Sequence, residues 1–129
     1  MDTSAKGRVV VEVSRELTVG HLEAVASAID TPTALDTARL VPWFGPTVAG
    51  DGRLVESLGL DLSRALLAGQ AYRWSRPFRQ GETVSIKVVV DDVYEKGANT
   101  FGVVKTEMRD GSGALVQEQR TTFIERGSK

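Results

Sequence analysis

Groups able to move protons or bind metals are few in this sequence, and that shortage bounds its chemistry. The 129 residues contain a single histidine, His21, and no cysteine. Disulfides and thiolate zinc sites are excluded, and one histidine cannot build a His-rich metal site, so no metal and no cofactor is expected. Carboxylates remain. Asp30 precedes Thr31-Pro32, Asp51 falls near the start of a predicted helix, and Glu56 sits in the middle of it. Each has a structural role beside any chemical one. An aspartate before Thr-Pro ends a helix or opens a turn, an aspartate at a helix start caps it, and a mid-helix glutamate is solvated or salt-bridged. His21 lies in a first helical turn, where an exposed or capping imidazole is commoner than a base. Arg73, Arg76 and Arg79 could grip a phosphate, but an arginine-rich strand edge is usually a solvated edge. Gly69, Gly81, Gly97 and Gly111 occupy turn or bulge positions, and no phosphate-loop spacing occurs.

The elements that must hold these residues read clearly in the second half. From Thr83 to Tyr94, Val84, Ile86, Val88 and Val90 alternate with Ser85 and Lys87, a period of two that marks a strand with one buried face. Leu66–Trp74 precedes it, and Tyr72 and Trp74 share one face of that strand. Glu95-Lys96-Gly97-Ala98-Asn99 supplies a turn, Thr100 to Met108 returns, Arg109-Asp110-Gly111-Ser112-Gly113 turns again, and Ala114 to Ile124 is the last strand. The short connections predict that these strands are antiparallel neighbours in a curved meander. In the first half, Val9–Val13 is a short strand. Leu22, Val25, Ala26 and Ile29 recur at helical spacing, and that helix ends near Pro32. A second helix runs from about Thr47 or Asp51 to Leu58, closed by Gly59. Helices followed by an antiparallel sheet predict an α+β domain covering residues 1–129.

Composition excludes several functions. Sixteen basic and 17 acidic side chains leave a formal net charge of −1. That gives no electrostatic case for nucleic acid or an anionic membrane. No apolar run approaches the roughly 20 residues that span a bilayer, and the first residues lack a signal-peptide pattern, so a cytoplasmic protein is expected.

Three segments in order resemble the hot-dog fold of the MaoC-like acyl-thioester hydratases and dehydratases, in their N-terminal-type domain. They are Ala28-Ile29-Asp30-Thr31-Pro32-Thr33, the loop Pro42-Trp43-Phe44-Gly45-Pro46-Thr47, and the strand, Arg-Pro break and Gly-Glu turn of Gly69–Val84. The last is the most specific. The resemblance implies a five-stranded antiparallel sheet wrapped around a central helix, edge-to-edge dimers, and an acyl-thioester site at the dimer interface. The catalytic members carry an aspartate, an Asn-Pro pair just after it, and a histidine five positions after the aspartate. Here Asp30 matches the aspartate, but the Asn-Pro pair is absent and the histidine position holds Leu35. Leucine cannot accept or donate a proton. His21 lies more than two helical turns from Asp30.

The resemblance and this departure together imply a non-catalytic acyl-binding subunit, acting on an acyl thioester of CoA or acyl carrier protein. It would form a homodimer, or a heterodimer with a catalytic hot-dog subunit. Its acyl tunnel would run between central helix and sheet, near Trp43, Phe44, Val55, Tyr72 and Trp74, with Arg76 as a further substrate contact. Two alternatives stay open. One is a self-sufficient thioesterase or polyketide-type lyase or cyclase using Asp30, Asp51 or Glu56. The other is a dimeric binding module without catalysis.

Overall fold

The structure is a computed structural model and describes residues 1–16, 51–76, 78 and 81–127. Asp30, Leu35, His21, Trp43, Phe44 and the helix expected around Leu22–Ile29 lie outside these described residues. The described elements are β1 (Val9–Glu16), α1 (Asp51–Leu58), β2 (Ala65–Trp74), β3 (Thr83–Lys96), β4 (Asn99–Arg109) and β5 (Leu115–Glu125). The strands form one antiparallel sheet in the order β1-β3-β4-β5-β2.

β3 has the alternation its sequence predicts: Val84, Ile86, Val88 and Val90 are all buried while Thr83, Ser85 and Lys87 are exposed. β3 and β4 run further than the sequence suggests. Lys96 still pairs with Asn99, so the expected five-residue turn shrinks to Gly97-Ala98. An extra residue, Asp91, interrupts the β3–β4 ladder, where Val90 pairs with Val104 and Asp92 with Val103. The bulge leaves Val90 and Val93 on the same side although they are three apart.

One expectation fails. β2 is not the neighbour of β3: it pairs with β5 at the far edge, and only β3-β4-β5 is a meander. A short connection does not force adjacency. Three strand spacings amount to about 14 Å, and the nine steps from Trp74 to Thr83 reach about 30 Å. The crossing segment is anchored as it passes the β4–β5 turn. Ser75 donates its backbone N–H to the Val116 carbonyl at 2.9 Å. The Arg76 guanidinium binds Glu82 and, at 3.1 Å, Asp110. Phe78 is buried with its ring edge-on to Trp74, centroids 5.3 Å apart.

α1 ends as its sequence predicts. Gly59 adopts φ +60°, a left-handed conformation favouring glycine, and donates to the Glu56 carbonyl at 3.2 Å. Leu60 N–H reaches the Val55 carbonyl at 3.0 Å, completing a two-bond helix stop in which Val55 and Leu60 both join the core. Asp2 N–H and the Arg8 guanidinium take the Leu58 and Ser57 carbonyls, both at 2.7 Å. Leu54 and Val55 are half-buried and Leu58 is fully buried. Leu58 presses onto Gly102 of β4, where its Cδ2 lies 3.3 Å from the place a Cβ would occupy.

Candidate functional site

The register sets four rows of side chains across the face that carries the core. They run Val13-Ile86-Met108-Gln117-Trp74, Val11-Val88-Thr106-Gln119-Tyr72, Val90-Val104-Thr121-Gln70 and Val93-Gly102-Phe123-Leu67. Each of the first three begins aliphatic on β1 or β3 and carries an uncharged polar side chain at β5, Gln117, Gln119 or Thr121. The opposite face reads Glu12-Lys87-Glu107-Glu118-Arg73, an alternation broken only at the Glu107–Glu118 pair. Lys105 and Arg109 flank Glu107 at 3.1 and 2.8 Å, and Arg120 lies 3.3 Å from Glu118. This is a solvated face.

The polar end of the inner face is continuous. Thr121 donates its hydroxyl to Gln70 Oε1 at 2.7 Å, Gln70 Nε2 donates to Gln119 Oε1 at 3.5 Å, and Gln119 Nε2 donates to Gln117 Oε1 at 2.7 Å. Gln117 and Gln119 are both 0% exposed. The Gln117 Nε2 has no hydrogen-bond partner among the described residues. Burial pushes the Tyr72 phenol above its usual value, against a smaller opposing hydrogen bond with Gln70.

The sequence-predicted residues divide among three places. Tyr72 and Trp74 stand on the inner face of β2, opposite Gln119 and Gln117. Val55 packs against the core from α1. Glu56 is exposed on α1, and Asp51 is the first residue of that helix. Arg76 lies at the crossing, its guanidinium shared by Glu82 and Asp110. Those two carboxylates raise its pKa, Glu82 foremost. A hollow of about 150 Å³ beside the β2 edge, lined by Ala71, Tyr72, Arg73, Glu118 and Arg120, is a separate surface feature. Asp30, Trp43 and Phe44 lie outside the described residues.

Sequence reasoning missed the three glutamines. The signal was present: Gln117, Gln119 and Thr121 alternate with Glu118 and Arg120, so a run of one β5 face, ahead of Phe123, is polar but uncharged. An uncharged polar row opposite a charged row marks the inner face of a half-buried strand.

A family model described as FAS1-like, dehydratase domain region, matches residues 4–119. A UPF0336 protein of Saccharopolyspora erythraea is 32% identical over 71 residues, which cover 55% of this chain and 46% of that protein. The chain thus spans about half the length of that relative. Among solved structures, the HadBC (3R-hydroxyacyl-ACP dehydratase) complex of Mycobacterium tuberculosis superposes with a TM-score of 0.68 at 15% identity, over 96% of this chain and 98% of that one. The ChsH1–ChsH2 complex of the same organism gives 0.62 at 15% identity, over 94% and 98%. These two likenesses speak for the fold, and the five-stranded antiparallel sheet matches theirs. With nearly the whole chain under one family model, it belongs to the FAS1-like dehydratase-region family and is a hot-dog-fold dehydratase family member.

Proposed function

We propose that this chain is an acyl-binding hot-dog subunit without hydratase chemistry of its own, paired through its β2 edge with a dyad-bearing hot-dog partner. The observation that carries the reading is Leu35, which stands where the catalytic members hold the histidine that moves the proton. Two further features support it. β2 is an edge strand with Leu66 and Leu67 exposed at 50% and 56%, and a strand edge of that kind is suited to pairing with another chain. Similar folds occur in HadBC and ChsH1–ChsH2, both complexes of two subunits. The acyl chain of a CoA or carrier-protein thioester would run between α1 and the inner face, along Val55, Tyr72 and Trp74, with Trp43 and Phe44 as further wall residues.

The test is hydration of 2-enoyl thioesters by the purified chain, alone and mixed with a dyad-bearing hot-dog protein encoded beside it. Negligible turnover alone and turnover with a stable heteromer are the expected results. Turnover by the chain alone that disappears with Asp30→Asn would overturn the reading. Release of free thiol that disappears with Asp51→Asn or Glu56→Gln would make the chain a thioesterase instead.

A further inference from the structure

The amides on the inner face run head to tail. Thr121, Gln70 and Gln119 each donate to the side-chain carbonyl of the next residue, Gln117 accepts the last of these bonds, and the run ends in the two N–H groups of Gln117. Aligned hydrogen bonds polarise one another, so the last amide nitrogen is a stronger donor than an isolated glutamine. It is also closed to solvent, at 0% exposure, between Trp74 on β2 and Met108 on β4. An unpaired amide in such a place is costly, and a methionine or leucine would fill the position without that cost. The row therefore holds a directed donor where the fold needs only volume.

We propose that the Gln117 side-chain amide binds an oxygen carried deep in the acyl chain, past the β-carbon, so that the chain selects thioesters with a distal oxo or hydroxyl group over plain alkyl ones. This rests on the acyl-binding reading above. The depth of Gln117 decides which oxygen it meets. The thioester and its pantetheine arm enter from the carrier, whereas a fully buried donor is reached by the part of the ligand that goes furthest in. A plain alkyl chain drawn past Gln117 leaves both N–H groups unpaired, and an oxygen at that depth satisfies one. A site that donates to a ligand oxygen discriminates by leaving its own donor unpaired with the wrong ligand.

The experiment is calorimetric binding of pantetheine thioesters of decanoate and of 5-, 7- and 9-oxodecanoate to the full chain. At least one oxo isomer is expected to bind about tenfold more tightly than decanoate. Gln117→Met should remove that preference and keep decanoyl binding. Equal affinity for all four probes, or a preference that survives Gln117→Met, overturns the inference and leaves the acyl-binding reading standing. No binding of any probe sinks both. Should Gln117→Met not fold, the wild-type comparison still decides, read together with the side-chain amide resonances of Gln117. They must shift with the preferred oxo isomer and not with decanoate.

Discussion

Leu58 and Gly102 make a contact that can be tested as a pair. Leu58 is fully buried at the end of α1, and its partner across the helix–sheet seam has no side chain. Truncation to alanine would leave a hole bounded on one side by sheet backbone, which cannot move in to fill it. Leu58→Ala should therefore cost about 3–5 kcal/mol, the upper part of the range for buried leucines. Gly102→Ala fails for the opposite reason. Its Cβ would stand 2.7 Å from Met1 Sδ and 3.3 Å from Leu58 Cδ2, so something must shift. The thioether can swing aside, but the leucine is locked in the seam, and overpacking of this kind costs about 1–3 kcal/mol. In the double variant the new methyl enters space that Leu58 has vacated. The combined loss should then fall short of the sum by about 1 kcal/mol or more, as contacting residues do. Urea unfolding followed by circular dichroism gives the four free energies, provided the denaturant slopes agree. Strict additivity, or a Leu58→Ala loss below about 1 kcal/mol, would refute the claim that this seam joins helix to sheet.

Glu125 is 4% exposed, and burial alone would raise its pKa. The Asp61 amide at 2.8 Å, the Met1 ammonium at 2.6 Å and Arg64 at 3.4 Å together outweigh burial and hold it below the ordinary 4.5. A lowered carboxylate pKa gives stability that is present above 4.5 and lost as pH falls through the folded value. Wild type should thus lose its advantage over Glu125→Gln as urea midpoints are followed from neutral pH to pH values below 4.5, and a constant gap between them refutes the assignment. Asp110 is held at about 2 by the Ser112 hydroxyl and then by Arg76. Arg76→Met should raise that value while leaving it below the ordinary 3.8, and an unchanged carboxyl titration by NMR would count against the ion pair. Leu66→Lys places a charge on the exposed β2 edge and should dissociate the sedimenting dimer or heteromer, whereas a wild type that stays monomeric at micromolar concentration even with the dyad-bearing partner present removes the edge interface.

Local rules made part of this fold readable. The Val84–Val90 alternation named both a strand and its buried face, and Gly59 named the residue that stops α1. Strand order was another matter. The segment from Ser75 to Glu82 carries no mark of how far it travels, because an eight-residue connection reaches a neighbouring strand and a distant one alike. The candidate site divides in the same way. Tyr72 and Trp74 were legible as one face of β2, since parity alone places them. Gln117 and Gln119 were not, because a core position filled by an amide resembles a surface position until the β4 register sets it opposite Met108. Arg76 looked free to meet a ligand, and only the folded crossing brings Glu82 and Asp110 onto it.

The bulge at Asp91 makes one place in β3 indifferent to length. Losing a residue from a regular strand inverts everything beyond it, valines to solvent and lysines to the core. Here the extra residue belongs to an Asp91-Asp92 doublet, so excising either aspartate yields the same shorter chain. In that chain Val90 and Val93 are separated by a single aspartate and still face inward, now in uninterrupted alternation. Natural variants of this domain that are one residue shorter in β3 should therefore be found with the gap at this doublet, and with the hydrophobic face otherwise intact.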